Sequence, residues 1–224
     1  MPTTLISSSY TDAGIQGNDA NYVIARSTST TIDDVAADTF VGQVLTLGLY
    51  LVQRALLEFD TSIISDAATV DSVILHVKIE QKSTEGGEFA VGIRKFDWAS
   101  PVDEANREAN YDGALAATLD QVLGNTGDYL DGEWMVSPAL DPTWVNLTGM
   151  TRYALVSAQD ANNFPPTDPE SVLIWCGRAV DPADAPYLEI AYTVPDGGGP
   201  DGPSPRKRRR RRGRCFIAPK ARHV

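Results

Sequence analysis

Nucleophilic catalysis by a hydroxyl or thiol requires a base beside it, and the chain carries two histidines, His76 and His223. His76 stands in SVILHVKIE, where its alternation neighbours are Lys78 and Glu80. That spacing predicts a solvent-facing structural histidine, and His223 lies next to the last residue, so neither is placed to serve a catalytic triad. A glycosidase-type pair needs only two carboxyl groups roughly 5–10 Å apart and leaves no sequence signature. The 30 Asp and Glu are spread through turns, the pattern of a solvated surface, and the expectation is a protein without enzymatic activity. No Cys/His cluster has zinc-ligand spacing, and GxxxxGK, GxGxxG and HExxH are absent. No cofactor is expected. A structural Ca²⁺, which takes oxygen ligands from loops, has candidate loops at Asp128–Asp131 and Asp181–Asp184. Neither matches an EF-hand, and no metal ligand is assigned.

Residues suited to recognition are easier to find. A sandwich that binds carbohydrate needs aromatic platforms, and of Trp98, Trp134, Trp144 and Trp175 the first two flank the acidic stretch 98–133. They are the candidate glycan contacts if they face solvent together; an equally good reading has them capping the sandwich end. Trp175, in LIWCG, reads as core. Cys176 in the same run reads as a buried thiol and Cys215 lies far away in a polar tail, so no intramolecular disulfide is indicated.

The strongest departure from a bland domain is Arg206, Lys207, Arg208, Arg209, Arg210, Arg211 and Arg212, followed by Arg214 and a short apolar plug, Phe216 and Ile217. Ten of the 19 Lys and Arg lie after Pro205, where there is no Asp or Glu, leaving 9 basic against 30 acidic groups before it, a net −21 within an overall −11. A body so acidic disfavours nucleic acid and anionic lipid and attracts cationic surfaces. The arginine block could contact phosphates in a salt-dependent way, or carboxylates on a neighbouring copy. The second is the expected role, because the plug could seat in an apolar notch beside the ionic contact.

The elements that would position these groups are strands. In SVILHVKIE, Val73, Leu75, Val77 and Ile79 alternate with Ile74, His76, Lys78 and Glu80 at period two, and RALLEFD sets Ala55, Leu57 and Phe59 opposite Arg54, Leu56 and Glu58. Further strands are expected at 21–27, 38–48, 88–96, 144–148, 171–179 and 187–194, with Gly, Asp and Asn between them, as in a sandwich or barrel. Helical periodicity is scarce. It favours one short helix in 148–161, from Leu147, Met150, Tyr153, Ala154 and Ser157, more than one in 103–124, and 98–133 reads as a long loop excursion. The chain divides into a jelly-roll-like antiparallel β-sandwich over 1–195, a Gly/Pro linker over 196–205 and the Arg-rich tail over 206–224.

RALLEFD (54–60), ATVDSVILHV (68–77) and APYLEIAYT (185–193) resemble the DNRLRE-type β-sandwich domains and their carbohydrate-binding-module-like relatives, over roughly 20–194. The resemblance implies a sandwich of the kind found in secreted, polysaccharide-associated proteins and in phage and virus structural proteins. Its matching positions, Leu57, Phe59, Val73, Leu75, Tyr187, Leu188 and Ile190, imply fold and no site. The family's paired Trp after a Val-x-Val strand are replaced here by Phe96 and Trp98 before an acidic insertion.

These features together lead to the expectation of a structural protein of a virus particle or extracellular assembly, such as a capsid decoration, fibre or tail component. Its partners are other copies or other virion proteins, with nucleic acid reached only through the tail and no membrane contact. The alternative is a carbohydrate-binding or adhesion module. No signal peptide is seen, which virion proteins do not need.

Overall fold

In the computed structural model, residues 2–34, 36–117 and 121–195 are described. They form an antiparallel, jelly-roll-like β-sandwich of twelve strands that is one curled sheet folded over a core. One layer contains β1 (Thr3–Ser7), β12 (Tyr187–Thr193), β6 (Thr69–Ser83) and β9 (Trp134–Val136). The other contains β2 (Ala13–Asp19), β3 (Thr31–Asp33), β4 (Asp38–Thr46), β5 (Leu49–Asp60), β7 (Ala90–Lys95), β8 (Gln121–Asn125), β10 (Met150–Ser157) and β11 (Glu170–Trp175). The 15-residue β6 joins them: most of it pairs with β12, and its last residues pair with β11. On the opposite side the curl nearly closes, where Ser8 bridges Phe59 and the Ser9 N–H donates to the Glu58 carbonyl at 2.7 Å.

The period-two reading of β6 holds. Val73, Leu75, Val77 and Ile79 are fully buried, while Ile74, His76, Lys78 and Glu80 are half-buried on the outer side. They face Leu57, Phe59, Leu155 and Ile174 of the second layer in the main core, together with Leu188 and Ile190. Burying a side chain of this size contributes about 1.5–3 kcal/mol.

A second core lies on the far side of β5 and β10. Leu56, Ala154 and Ile15 pack there under α1 (Tyr22–Ser27), α2 (Arg107–Ala116) and the segment around Trp98 and Val102. As a result β5 is buried on both faces from Arg54 to Phe59. Gly17 lets α1 settle onto β2, since a Cβ there would stand 1.8 Å from the Ala25 carbonyl oxygen. Gly42, at φ +137°, sits where β4 passes from β11 to β5, a backbone setting that only glycine adopts cheaply.

Several sequence-based expectations are corrected. Residues 150–157 form strand β10, and only Ala158–Ala161 turn into a helix, α3. The segment 21–27 is the helix α1, capped by Asn21, whose side chain accepts the Val23 N–H at 2.9 Å. Three short helices are therefore present where one was expected. The stretch 98–133 carries α2, β8 and part of the approach to β9 instead of running as a loop, and 144–148 contributes the end of a 3₁₀ turn, Pro142–Trp144, and no strand. The linker 196–205 and the tail 206–224, including Arg206 to Arg212, Arg214, Phe216 and Ile217, lie outside the described residues.

Candidate functional site

Four groups of chemically capable side chains stand out. The first is walled into the second core. Arg54, fully buried on β5, donates Nε to Asp160 Oδ2 at 2.7 Å and Nη2 to Oδ1 at 3.1 Å. Its remaining N–H groups reach the Tyr111 carbonyl at 2.7 Å and the Arg26 carbonyl at 2.9 Å, and its Cζ lies 3.7 Å from the centroid of the Tyr111 ring. Asp160 starts from α3, where Ser157 caps its N–H, and also takes Arg26 at 3.1 Å. Each nitrogen of the fork has an acceptor, so this pair locks helices to strands and offers nothing to a ligand.

The second group is the Asp12–Glu58 pair. Asp12 Oδ1 accepts the Glu58 N–H and Oδ2 the Gly177 N–H, both at 2.8 Å. Burial pushes its carboxyl up to about 7, against the pull of those two N–H donors. Glu58 is held by Arg152 Nε at 2.5 Å and by the hydroxyls of Thr11, Ser9 and Ser100. Arg152 continues to Asp97 at 2.7 Å and lies over the Trp98 ring at 5.4 Å. Both carboxyls are almost wholly buried, at 1% and 3% exposure. They have the polarity of an acid/base pair but stitch the Ser8–Asp12 loop to β5 and to the turn after β11.

The third group lies on the outer face of the β6 layer. His76 stacks on Tyr187, ring centroids 4.3 Å apart at 11°, and Trp134 meets Tyr187 edge-on at 5.2 Å. The strand register explains this: Tyr187 lies opposite His76, and Trp134 opposite Lys78. His76 Nε2 is 3.3 Å from Glu189, yet burial outweighs that carboxylate and lowers the imidazole's affinity for a proton. Lys78 pairs with Asp184 at 2.5 Å. These rings are half-buried and open to one side, and Leu5 and Val136 are exposed on the neighbouring strands of the layer.

The structure separates the two tryptophans that the sequence groups as glycan contacts. Trp98 is 1% exposed in the second core and has no face for a sugar, whereas Trp134 belongs to the half-exposed cluster just described. Trp98 is thus a capping residue, buried because α2 and the 97–102 segment close over β5. Trp144 is buried against Tyr153, and Trp175 is only partly buried, contrary to its core reading. Cys176 is buried and donates to the Ala36 carbonyl, and burial pushes its thiol up to about 11. In the two candidate calcium loops, Asp131 accepts the Lys82 N–H, Asp181 caps a 3₁₀ turn and Asp184 holds Lys78. Among the described residues no three His, Cys, Asp or Glu side chains come together as a metal would need. None of the described helices is long and apolar enough to cross a membrane.

The fourth group centres on Phe40 of β4, a phenyl ring 42% exposed between two shallow hollows of about 170 and 130 Å³. Asp33 lines the first hollow, and Leu173 the second. Beside them Asp38 contacts Glu80, whose carboxyl is raised first by burial and then by Asp38. Nothing in the sequence marked this site. Phe40 reads there as one more apolar residue of DTFVGQVLTLG, and only the pairing of β4 with β11 turns it outward.

Comparison with protein-family models returns no match, and comparison with curated proteins likewise finds no similar chain.

Proposed function

We propose that this protein is a non-enzymatic assembly module, a structural protein of a virus particle or extracellular assembly whose basic tail docks on an acidic neighbouring copy. The observation that carries the reading is how the sandwich uses its own cations. Residues 1–195 hold nine Lys and Arg. Seven of them are engaged within the sandwich: Arg26, Arg54, Lys78, Arg107 and Arg152 by carboxylates, Lys82 and Arg94 by main-chain carbonyls. Those five cations take up five carboxylates: Asp160, shared by Arg26 and Arg54, then Asp184, Glu104, Glu58 and Asp97, the second partner of Arg152. The same stretch carries 28 Asp and Glu, the chain's 30 less Asp196 and Asp201. Its surface therefore calls for an external polycation, and the chain carries one after Pro205. Native mass by light scattering tests this. The full chain should exceed the mass of one copy at low salt, and either high salt or removal of residues after Pro195 should return it to one copy. A full chain that stays single at every salt concentration refutes the reading.

A second reading, carbohydrate binding, is favoured by the Trp134–Tyr187–His76 cluster, three half-buried rings on a sheet face that no described helix covers. Under it, glycan-array signals of the full chain disappear in Trp134→Ala and persist in Trp98→Phe. Equal loss in both variants, or no signal in the wild type, counts against it.

A further inference from the structure

The proposed docking of the tail leaves open where it lands, and the following rests on that reading. The receptor must offer an apolar notch for Phe216 and Ile217 and carboxylates for the arginines that precede them. On the described surface those two properties meet at Phe40. Its ring is exposed between two hollows, with Leu173 beside it at the same register level of β11. Asp33 stands on one rim, and the Asp38–Glu80 carboxyl pair lies at the same end of β4. Lys82, the cation on the other rim, has its ammonium turned away, donating to the Thr126 and Tyr129 carbonyls at 2.7 and 2.6 Å. Lys82 keeps its charge, but Asp33, Asp38 and Glu80 outnumber it around Phe40, and planar guanidinium groups bridge paired carboxylates better than any other cation a protein supplies.

The topology also sets how far the arm must travel. The described chain leaves β12, whose last residue, Thr193, pairs with Thr69 at the start of β6. The notch lies against Gln81, Lys82 and Ser83 at the other end of that strand. At about 3.3 Å per residue the two ends are up to roughly 40 Å apart, comparable to the width of a body of this size. The 21 residues from Pro195 to Phe216 can span at most about 70 Å, a length that reaches a notch on a neighbour as well as on the same copy. The neighbouring copy is the receptor that the assembly reading requires, and the mixing experiment below separates the two.

We infer that the tail of one copy seats Phe216 and Ile217 at the Phe40 notch of a second copy, its arginines on Asp33, Asp38 and Glu80, giving a heterologous head-to-tail contact. Such contacts build rings or open filaments instead of isologous dimers.

The test uses two full-length variants: Phe40→Glu, with a blocked notch and an intact tail, and the double variant Phe216→Ser/Ile217→Ser, with the reverse. Phe40 is exposed, and near-ultraviolet circular dichroism checks that each variant stays folded. At low salt the wild type assembles beyond two copies, and each variant alone falls to one copy. An equimolar mixture of the two forms a complex of two copies and nothing larger, because one good arm meets one good notch. If the wild type assembles but Phe40→Glu assembles equally well, the notch is wrong while tail docking survives. If both variants fall apart and their mixture does not pair, the head-to-tail geometry is wrong. A wild type that never assembles removes the reading beneath both.

Discussion

Asp12 shows what a single buried carboxyl does to this fold. Its ordinary value is 3.8, and burial carries it to about 7 in the folded chain. The native state therefore holds a proton between those limits that the unfolded chain has released. Stability must fall as pH rises from about 4 to about 7, by at most about 4 kcal/mol from this group. Above pH 7 the charge remains in place, supported by the Glu58 and Gly177 N–H groups and the Ser8 hydroxyl. Urea midpoints measured across pH 4.5–8 should decline more steeply for the wild type than for Asp12→Asn, whatever the variant's absolute stability. Parallel curves would assign the slope to the surface carboxylates instead. None of this was legible from the sequence, where Asp12 stands in SYTDAG and reads as a turn residue. Its character comes from β5 and the turn after β11, which lie far from it in sequence. Cys176, by contrast, could be read directly, because the apolar run 172–175 leads straight into it.

At the scale of elements, the readable strands were those whose sequence alternates, and β5 does so through Arg54 and Glu58 although both its faces are buried. β6 and β12 alternate because water meets their outer side, and period two records that. β10 escaped because both its faces are covered: Tyr153 and Leu155 belong to the main core, and Ala154 to the second. Alternation vanishes in such a strand, and the residual spacing of Met150, Tyr153, Ala154 and Ser157 imitates a helix. The second core is thus the feature the sequence concealed, and α1 is its most exposed dependency. Gly17→Ala would drive a methyl into the Ala25 carbonyl, backbone that cannot step aside without lifting α1 and the Tyr22 ring from β2. A loss of about 2–4 kcal/mol follows, in the range of overpacked or displaced core elements, read as a fall in the thermal midpoint. Gly132, with open space around its Cβ position but a φ of +84°, gives the contrast. Alanine there costs about 1 kcal/mol of backbone strain and leaves the second core intact.

The whole molecule joins an acidic sandwich to a basic arm, and under the proposed docking charge would tie its stability to its assembly. Among the described residues, nearly all the helical cover lies on one face of the β5–β10 layer and no helix covers the outer face of the β6 layer, so the surplus of carboxylates is arranged around a body with few cations to spare. Such a body repels itself, and salt relieves the repulsion: the screening length falls from about 30 Å at 0.01 M to about 3 Å at 1 M. Residues 1–195 alone should therefore gain thermal midpoint steadily as salt is raised. Under the proposed docking the full chain starts differently, because at low salt the tail arginines would already neutralise part of that field and, by mass action, their binding would stabilise the folded state. Added salt screens the repulsion but also releases the arm, so its midpoint should begin higher than that of 1–195 and respond little, the two curves converging near 1 M. Curves of the same slope, offset or not, would mean that the arm never meets the body, and the acidic surface would then have to find its cations in another partner.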